Sequence, residues 1–135
     1  MTDALLDTNM VIHWPRLRAG DLPDRAAIST ITVAELSAGV HATDDPRERA
    51  NRLELLQRVE ADFDPFPFDL AAARSYGRIT AALIGVGRSP RSRVAAQMIA
   101  AVAASRGLAL FTTNPSDFVG LAGIVEVVAV PRPGG

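Results

Sequence analysis

The sequence predicts an α/β domain with a central, mainly parallel sheet of about four to five strands and helices on both faces. Three observations carry that expectation. Short apolar runs of strand length lie at 3–6, 26–29, 108–112 and 124–130. Longer stretches with helical spacing separate them, and strands alternating with helices are the mark of a parallel sheet. Two of the runs end on acids and amides: Leu5-Leu6 is followed by Asp7-Thr8-Asn9, and Leu110-Phe111 runs into Thr112-Thr113-Asn114-Pro115-Ser116-Asp117. In open sheets of this kind, ligands and metals bind beyond the carboxyl ends of the strands.

Each element has a local reason. After the first strand, 8–18 reads as a helix broken at Pro15. A short strand at 26–29 leads to a helix over 32–41. Asp45-Pro46 opens a long helix to about Asp62, with Asp as N-cap and Pro at the first helical position; Leu53, Leu56 and Val59 give it an apolar stripe. Residues 64–69 read as an extended segment whose phenylalanines, with Phe63, pack under that helix. Asp69 caps a helix to about Gly85, and a loop over 85–90 follows. A helix over 92–105, apolar around nearly its whole circumference, ends at Gly107. Residues 1–130 thus form one domain, and 131–135 a tail.

Composition narrows the chemistry. The chain has 135 residues, 48% of them hydrophobic, enough for one domain with a real core. Its net charge of −1 excludes a strongly basic nucleic-acid binder, so any such contact must be local. All 14 basic residues are arginine. Without lysine there is no phosphate-binding GK[ST] loop and no Schiff-base amine. Without cysteine there is no disulfide, thiolate zinc site or thiol nucleophile. The N-terminus shows no signal peptide, and the apolar stretch over 94–104 is too short to span a bilayer, so a cytoplasmic location is expected.

Three acids stand out. Asp7 also fits a helix N-cap; Glu35 also fits a capping box, Thr32-Val33-Ala34-Glu35; and Asn114-Pro115-Ser116-Asp117 also reads as a turn. All three acids follow strands of one parallel sheet and are expected to converge at its carboxyl edge. Carboxylates so placed repel one another. A hard divalent ion relieves that repulsion through oxygen ligands and activates water at a phosphodiester.

The motifs Leu6-Asp7-Thr8-Asn9, Thr32-Val33-Ala34-Glu35-Leu36 with Gly39, Ile99-Ala100-Ala101 before Gly107, and Thr112-Thr113-Asn114-Pro115-Ser116-Asp117-Phe118 resemble the PIN-domain ribonucleases, in particular the VapC-type toxins of toxin–antitoxin pairs. The resemblance spans essentially the whole chain. It implies a three-layer PIN-like fold and a Mg²⁺- or Mn²⁺-dependent endoribonuclease acting on structured RNA such as tRNA or rRNA. It also implies a homodimer held inactive by a VapB-type antitoxin. By position, Asp7, Glu35 and Asp117 become the catalytic, metal-site acids, with Asn9, Thr112 and Asn114 as polar supports.

One position departs from the pattern. The family has an Asp three residues before Ile-Ala-Ala, where this chain has Ala96. An introduced Asp→Ala change is favoured over a naturally weakened chain, because an active ribonuclease harms the cell that makes it. Either way, this polypeptide is expected to be impaired. The rival from another class is a catalytically inactive PIN-like binding module or autorepressor subunit. A receiver-like or dinucleotide-binding domain is poorly supported, since the late-strand lysine and G-x-G-x-x-G are both absent.

Among the remaining residues, His13 and His41 are assigned to structure and Trp14 to packing or an interface. The first helix, around Val11, Ile12 and Trp14, and the Ala-rich helix region are the expected apolar surfaces for pairing with a second copy or an antitoxin. Arg74, Arg78, Arg88, Arg91 and Arg93 are the candidates for holding an RNA backbone, because a planar guanidinium binds two phosphate oxygens.

Overall fold

A computed structural model of the chain describes residues 3–134. Four parallel strands form one sheet: β1 (Asp3–Leu6), β2 (Arg25–Ala27), β3 (Ala109–Thr112) and β4 (Val127–Ala129), in the order β2-β1-β3-β4. Ala4 pairs with both Ala26 and Ala109, and Leu110 pairs with Val127. The chain leaves β1 toward one side for β2 and returns on the other side for β3. The topology therefore switches between β1 and β3, and it is beyond such a switch that an open sheet leaves a crevice for ligands.

Side chains alternate across the sheet and build two cores. Leu5 and Leu110 face one core, with α4 (Leu70–Gly85) and α5 (Val94–Arg106). Ala4, Leu6, Ala109 and Phe111 face the other, with α1 (Thr8–His13), α2 (Thr30–Val40) and α3 (Pro46–Asp62). The result is the three-layer arrangement expected. The circumferentially apolar helix is α5: Ile99 through Ala103 are fully buried, which places it at the centre of its layer.

Several boundaries differ from the sequence expectation. The helix expected over 8–18 is broken at Pro15 as expected, since proline cannot continue the hydrogen-bond ladder; the α-helical part is six residues long, and 3-10 turns at Trp14–Arg16 and Ala19–Asp21 follow instead of a second helical piece. The strand expected over 124–130 is confined to Val127–Ala129. The extended segment at 64–69 lies along the open side of β2's continuation. There Phe66 N–H donates to Ile28 O and Thr30 N–H donates to Phe66 O, both at 2.9 Å. Pro65 and Pro67, which lack N–H groups, are tolerated at such an edge. Phe63 packs with α3 as expected, but Phe66 and Phe68 cross to the α4/α5 core. Phe68 meets Tyr76 edge-on, and Arg106 lies 4.2 Å over the Phe66 ring.

Candidate active site

Asp7 is the first residue beyond β1. Its N–H still donates to Phe111 O at 2.9 Å, so the ladder fixes its backbone, and its side chain is only 5% exposed. One oxygen, Oδ1, accepts from Thr8 N–H at 2.9 Å and caps α1; the other, Oδ2, accepts from the Thr112 hydroxyl at 2.8 Å. Thr112 is the last residue of β3, so this hydrogen bond spans the switch point. The Thr112 hydroxyl in turn accepts from Asn114 N–H at 2.9 Å. Asn9 ties the same two segments together by accepting from Thr113 N–H at 3.3 Å. Burial pushes the Asp7 carboxyl above its ordinary value. The Thr112 and Thr8 hydrogen bonds pull it back, and the charges of Glu35 and Asp117 raise it further.

Glu35 reaches the site by a different route from the capping box. Ser29 caps α2 by accepting from Thr32 N–H, and the helix begins at Thr30, so Thr32 lies inside it and is fully buried. Freed from a capping role, the exposed Glu35 accepts from the Thr8 hydroxyl at 2.6 Å, and Thr8 also meets the Thr32 hydroxyl at 3.0 Å. Asp117 sits in a 3-10 turn, Pro115–Phe118. Its Oδ2 accepts from Asn114 Nδ2 at 2.9 Å, and its Oδ1 pairs with Arg93 Nε at 3.4 Å. Ser116 steadies the amide of Asn114 by donating to its Oδ1 at 3.1 Å.

Asp7, Thr8, Asn9, Glu35, Asn114 and Asp117 line one open cleft of about 460 Å³. Ala96 lines it too, in the first turn of α5, a turn that carries no acid and has no side-chain cap. The expected convergence is therefore met at the level of the cleft, but not as a closed ligand shell. Among the described residues, no three acidic or imidazole side chains approach closely enough to hold a metal ion together. The reason lies in the hydrogen bonds: Glu35 is drawn to Thr8, and Asp117 to Asn114 and Arg93. The donor set still fits a hard divalent ion. It is all oxygen, its central carboxylate is penalised by two neighbouring negative charges, and Mg²⁺ is commonly held by one or two carboxylates with water completing the shell.

Of the five arginines expected to meet RNA, only Arg93 lines the cleft. Arg88 instead donates to Ser116 O at 2.9 Å and braces the turn that carries Asp117. Arg78 meets the Ser75 hydroxyl on α4, while Arg74 and Arg91 are exposed. His13 interacts with Arg16, and Trp14 packs into the α1–α3 core, in keeping with structural roles. Sequence reasoning left Thr8 out of the site residues, although it lay within the Asp7-Thr8-Asn9 motif. It also left out Ser29, whose capping position competes locally with that of Thr32.

The PIN domain family matches residues 4–124. The chain is 40% identical over 131 residues to Ribonuclease VapC5 of Mycobacterium tuberculosis, covering 93% of this chain and 94% of that protein. It is 30% identical over 133 residues to the tRNA(fMet)-specific endonuclease VapC of Shigella flexneri, covering 92% and 96%. The crystal structure of VapBC-5 from Mycobacterium tuberculosis, a member of the VapBC family of toxin–antitoxin systems, contains a similar chain. It superposes with a TM-score of 0.83 at 38% identity, covering 98% of this chain and 100% of that one. With the fold, the strand-end acids and these relatives in agreement, the chain belongs to the PIN-domain family and, within it, to the VapC ribonucleases.

Proposed function

We propose that the chain is a Mg²⁺- or Mn²⁺-dependent endoribonuclease, the toxin of a toxin–antitoxin pair, acting on structured RNA of the tRNA or rRNA class and weakened by Ala96. The observation that carries this reading is the Asp7–Thr112 hydrogen bond across the switch point, which sets a buried carboxylate at the floor of a cleft that Glu35 and Asp117 also face. Asp7 and Asp117 would hold the ion, with Glu35 reaching it directly or through water. When bound, the ion lowers the pKa of a water and polarises a backbone phosphodiester. The chain's own residues orient these groups: Thr112 and Thr8 fix the two Asp7 oxygens, Asn114 holds one oxygen of Asp117, and Thr8 aims Glu35.

The substrate class rests on the relative that is a tRNA(fMet)-specific endonuclease. The partner rests on the similar chain solved from a VapBC toxin–antitoxin system. A VapB-type antitoxin is thus the cognate inhibitor, and a homodimer the expected assembly. Of the residues expected to supply an apolar docking surface, Val11 is buried, Trp14 half-buried in the core, and Ile99 through Ala103 of the Ala-rich helix fully buried; Ile12, 48% exposed, is the one left open on the first helix. Among the described residues, no helix is long and apolar enough to cross a membrane.

A second reading, a catalytically inactive binding module, is favoured by one observation: an alanine methyl stands at the cleft where the family carries an acid. Expression in the host separates the two. Ala96→Asp should arrest growth, with relief on co-expression of a cognate VapB-type antitoxin. An Ala96→Asp chain that accumulates in folded form without slowing growth would favour the binding module.

A further inference from the structure

Arg93 occupies an unusual position. It is the one non-glycine residue with positive φ among the described residues, at φ 58° and ψ 45°, immediately before α5. That left-handed backbone is unfavourable for a residue that carries a Cβ. Nor does Arg93 contribute a side-chain cap to α5. Its carbonyl accepts the first helical bond, from Gln97 N–H at 3.1 Å, and its guanidinium turns into the acidic cleft to pair with Asp117 Oδ1. Because Asn114 already occupies Oδ2, both oxygens of Asp117 are engaged within the chain.

We propose that Arg93 is a built-in counter-cation that competes with the divalent ion for Asp117 Oδ1, so that metal binding must displace the guanidinium from the carboxylate. This rests on the metal-dependent reading above and deepens it. The geometry makes the exchange easy. The Arg93 side chain is 64% exposed and that of Asp117 only 13%, so the arginine is the partner free to leave, while the acid stays fixed by Asn114. Once displaced, the guanidinium remains at the lip of the cleft, where a planar fork suits a phosphate. Arg93 is a positioning residue in this account: it acts on the ion through Asp117.

The test is a Mn²⁺ titration of the full chain, followed by electron paramagnetic resonance of the free ion, for the parent, Arg93→Gln and Arg93→Gly. With its guanidinium in solvent, an ion pair of this kind is worth up to about 1 kcal/mol, so both variants should bind Mn²⁺ about two- to five-fold more tightly than the parent. Gly, which adopts the left-handed backbone without penalty, checks that the effect belongs to the side chain. In an Asp117→Asn background, Arg93→Gln should leave Mn²⁺ affinity unchanged. Equal or weaker Mn²⁺ binding by Arg93→Gln, against a parent that binds measurably, would overturn the competition and leave the metal reading standing. Absence of Mn²⁺ binding in the parent and both variants would remove the metal reading, and the competition with it.

Discussion

The Thr8 hydroxyl donates to Glu35 Oε1 at 2.6 Å, joining the first turn of α1 to the second turn of α2 across 27 residues of sequence. A hydroxyl has one proton. With that proton committed to the carboxylate, the 3.0 Å contact with Thr32 requires the Thr32 hydroxyl to donate to Thr8. The two threonines thus form a directed relay from inside α2 to the acid at the cleft, and this relay, rather than a capping box, sets the position of Glu35.

Replacing Thr8 with Val keeps the shape and removes the donor. In an Ala96→Asp background, Thr8→Val should lower the rate of RNA cleavage about ten-fold, equivalent to about 1.4 kcal/mol, and Thr8→Ser should restore most of it. Single-turnover cleavage of a tRNA pool measures the difference.

The Ser29 cap and the Thr32–Glu35 capping box predict different stability effects, and the structure shows the Ser29 cap. Ser29→Ala should destabilise the fold by about 1 kcal/mol, because a buried cap is lost. Glu35→Ala should change it by less than about 0.5 kcal/mol, as expected for an exposed side chain outside the cap. Urea unfolding of the two variants checks both values.

Asp7 links stability to pH. Its folded pKa is raised, chiefly by burial, so ionising it costs the folded state more than the unfolded one. The penalty is absent below the ordinary value of 3.8, grows as pH rises through the folded pKa, and is constant above it. Asp7→Asn should therefore melt higher than the parent at pH 7, and this advantage should shrink as pH falls toward 4. Metal-dependent cleavage in the Ala96→Asp background should be lost by at least about 100-fold. Thermal melts across that pH range read the first effect.

The polar edge of the sheet that lines the cleft was legible because its signals are local. A strand that ends on Asp7, and another that ends on Thr112 and Asn114, announce themselves through apolar runs followed by polar residues, and the alternation of strand and helix puts both ends on one side. What was not legible depends on contacts between distant segments. Ser29 and Thr32 are both good caps in isolation, and the choice is made by Thr32 being buried against Thr8. Arg88, Arg91 and Arg93 look alike in sequence, yet one braces the Asp117 turn, one is exposed and one enters the cleft. The break of the first helix at Pro15 was legible because proline's missing N–H is a local signal; that the chain goes on in 3-10 turns was not.

Placing an acid at position 96 tests the central claim most directly. Ala96 sits in the first turn of α5, where an added carboxylate is favoured by the helix N-terminus, and it already borders the cleft. Purified parent and Ala96→Asp chains should be incubated with a tRNA pool in Mn²⁺, in Mg²⁺ and in EDTA, and the products resolved by length. Cleavage by Ala96→Asp that requires Mn²⁺ or Mg²⁺, exceeds the parent by about 100-fold or more, and is abolished by Asp7→Asn is the result predicted. An Ala96→Asp chain that folds, binds Mn²⁺ and leaves the RNA intact would contradict it.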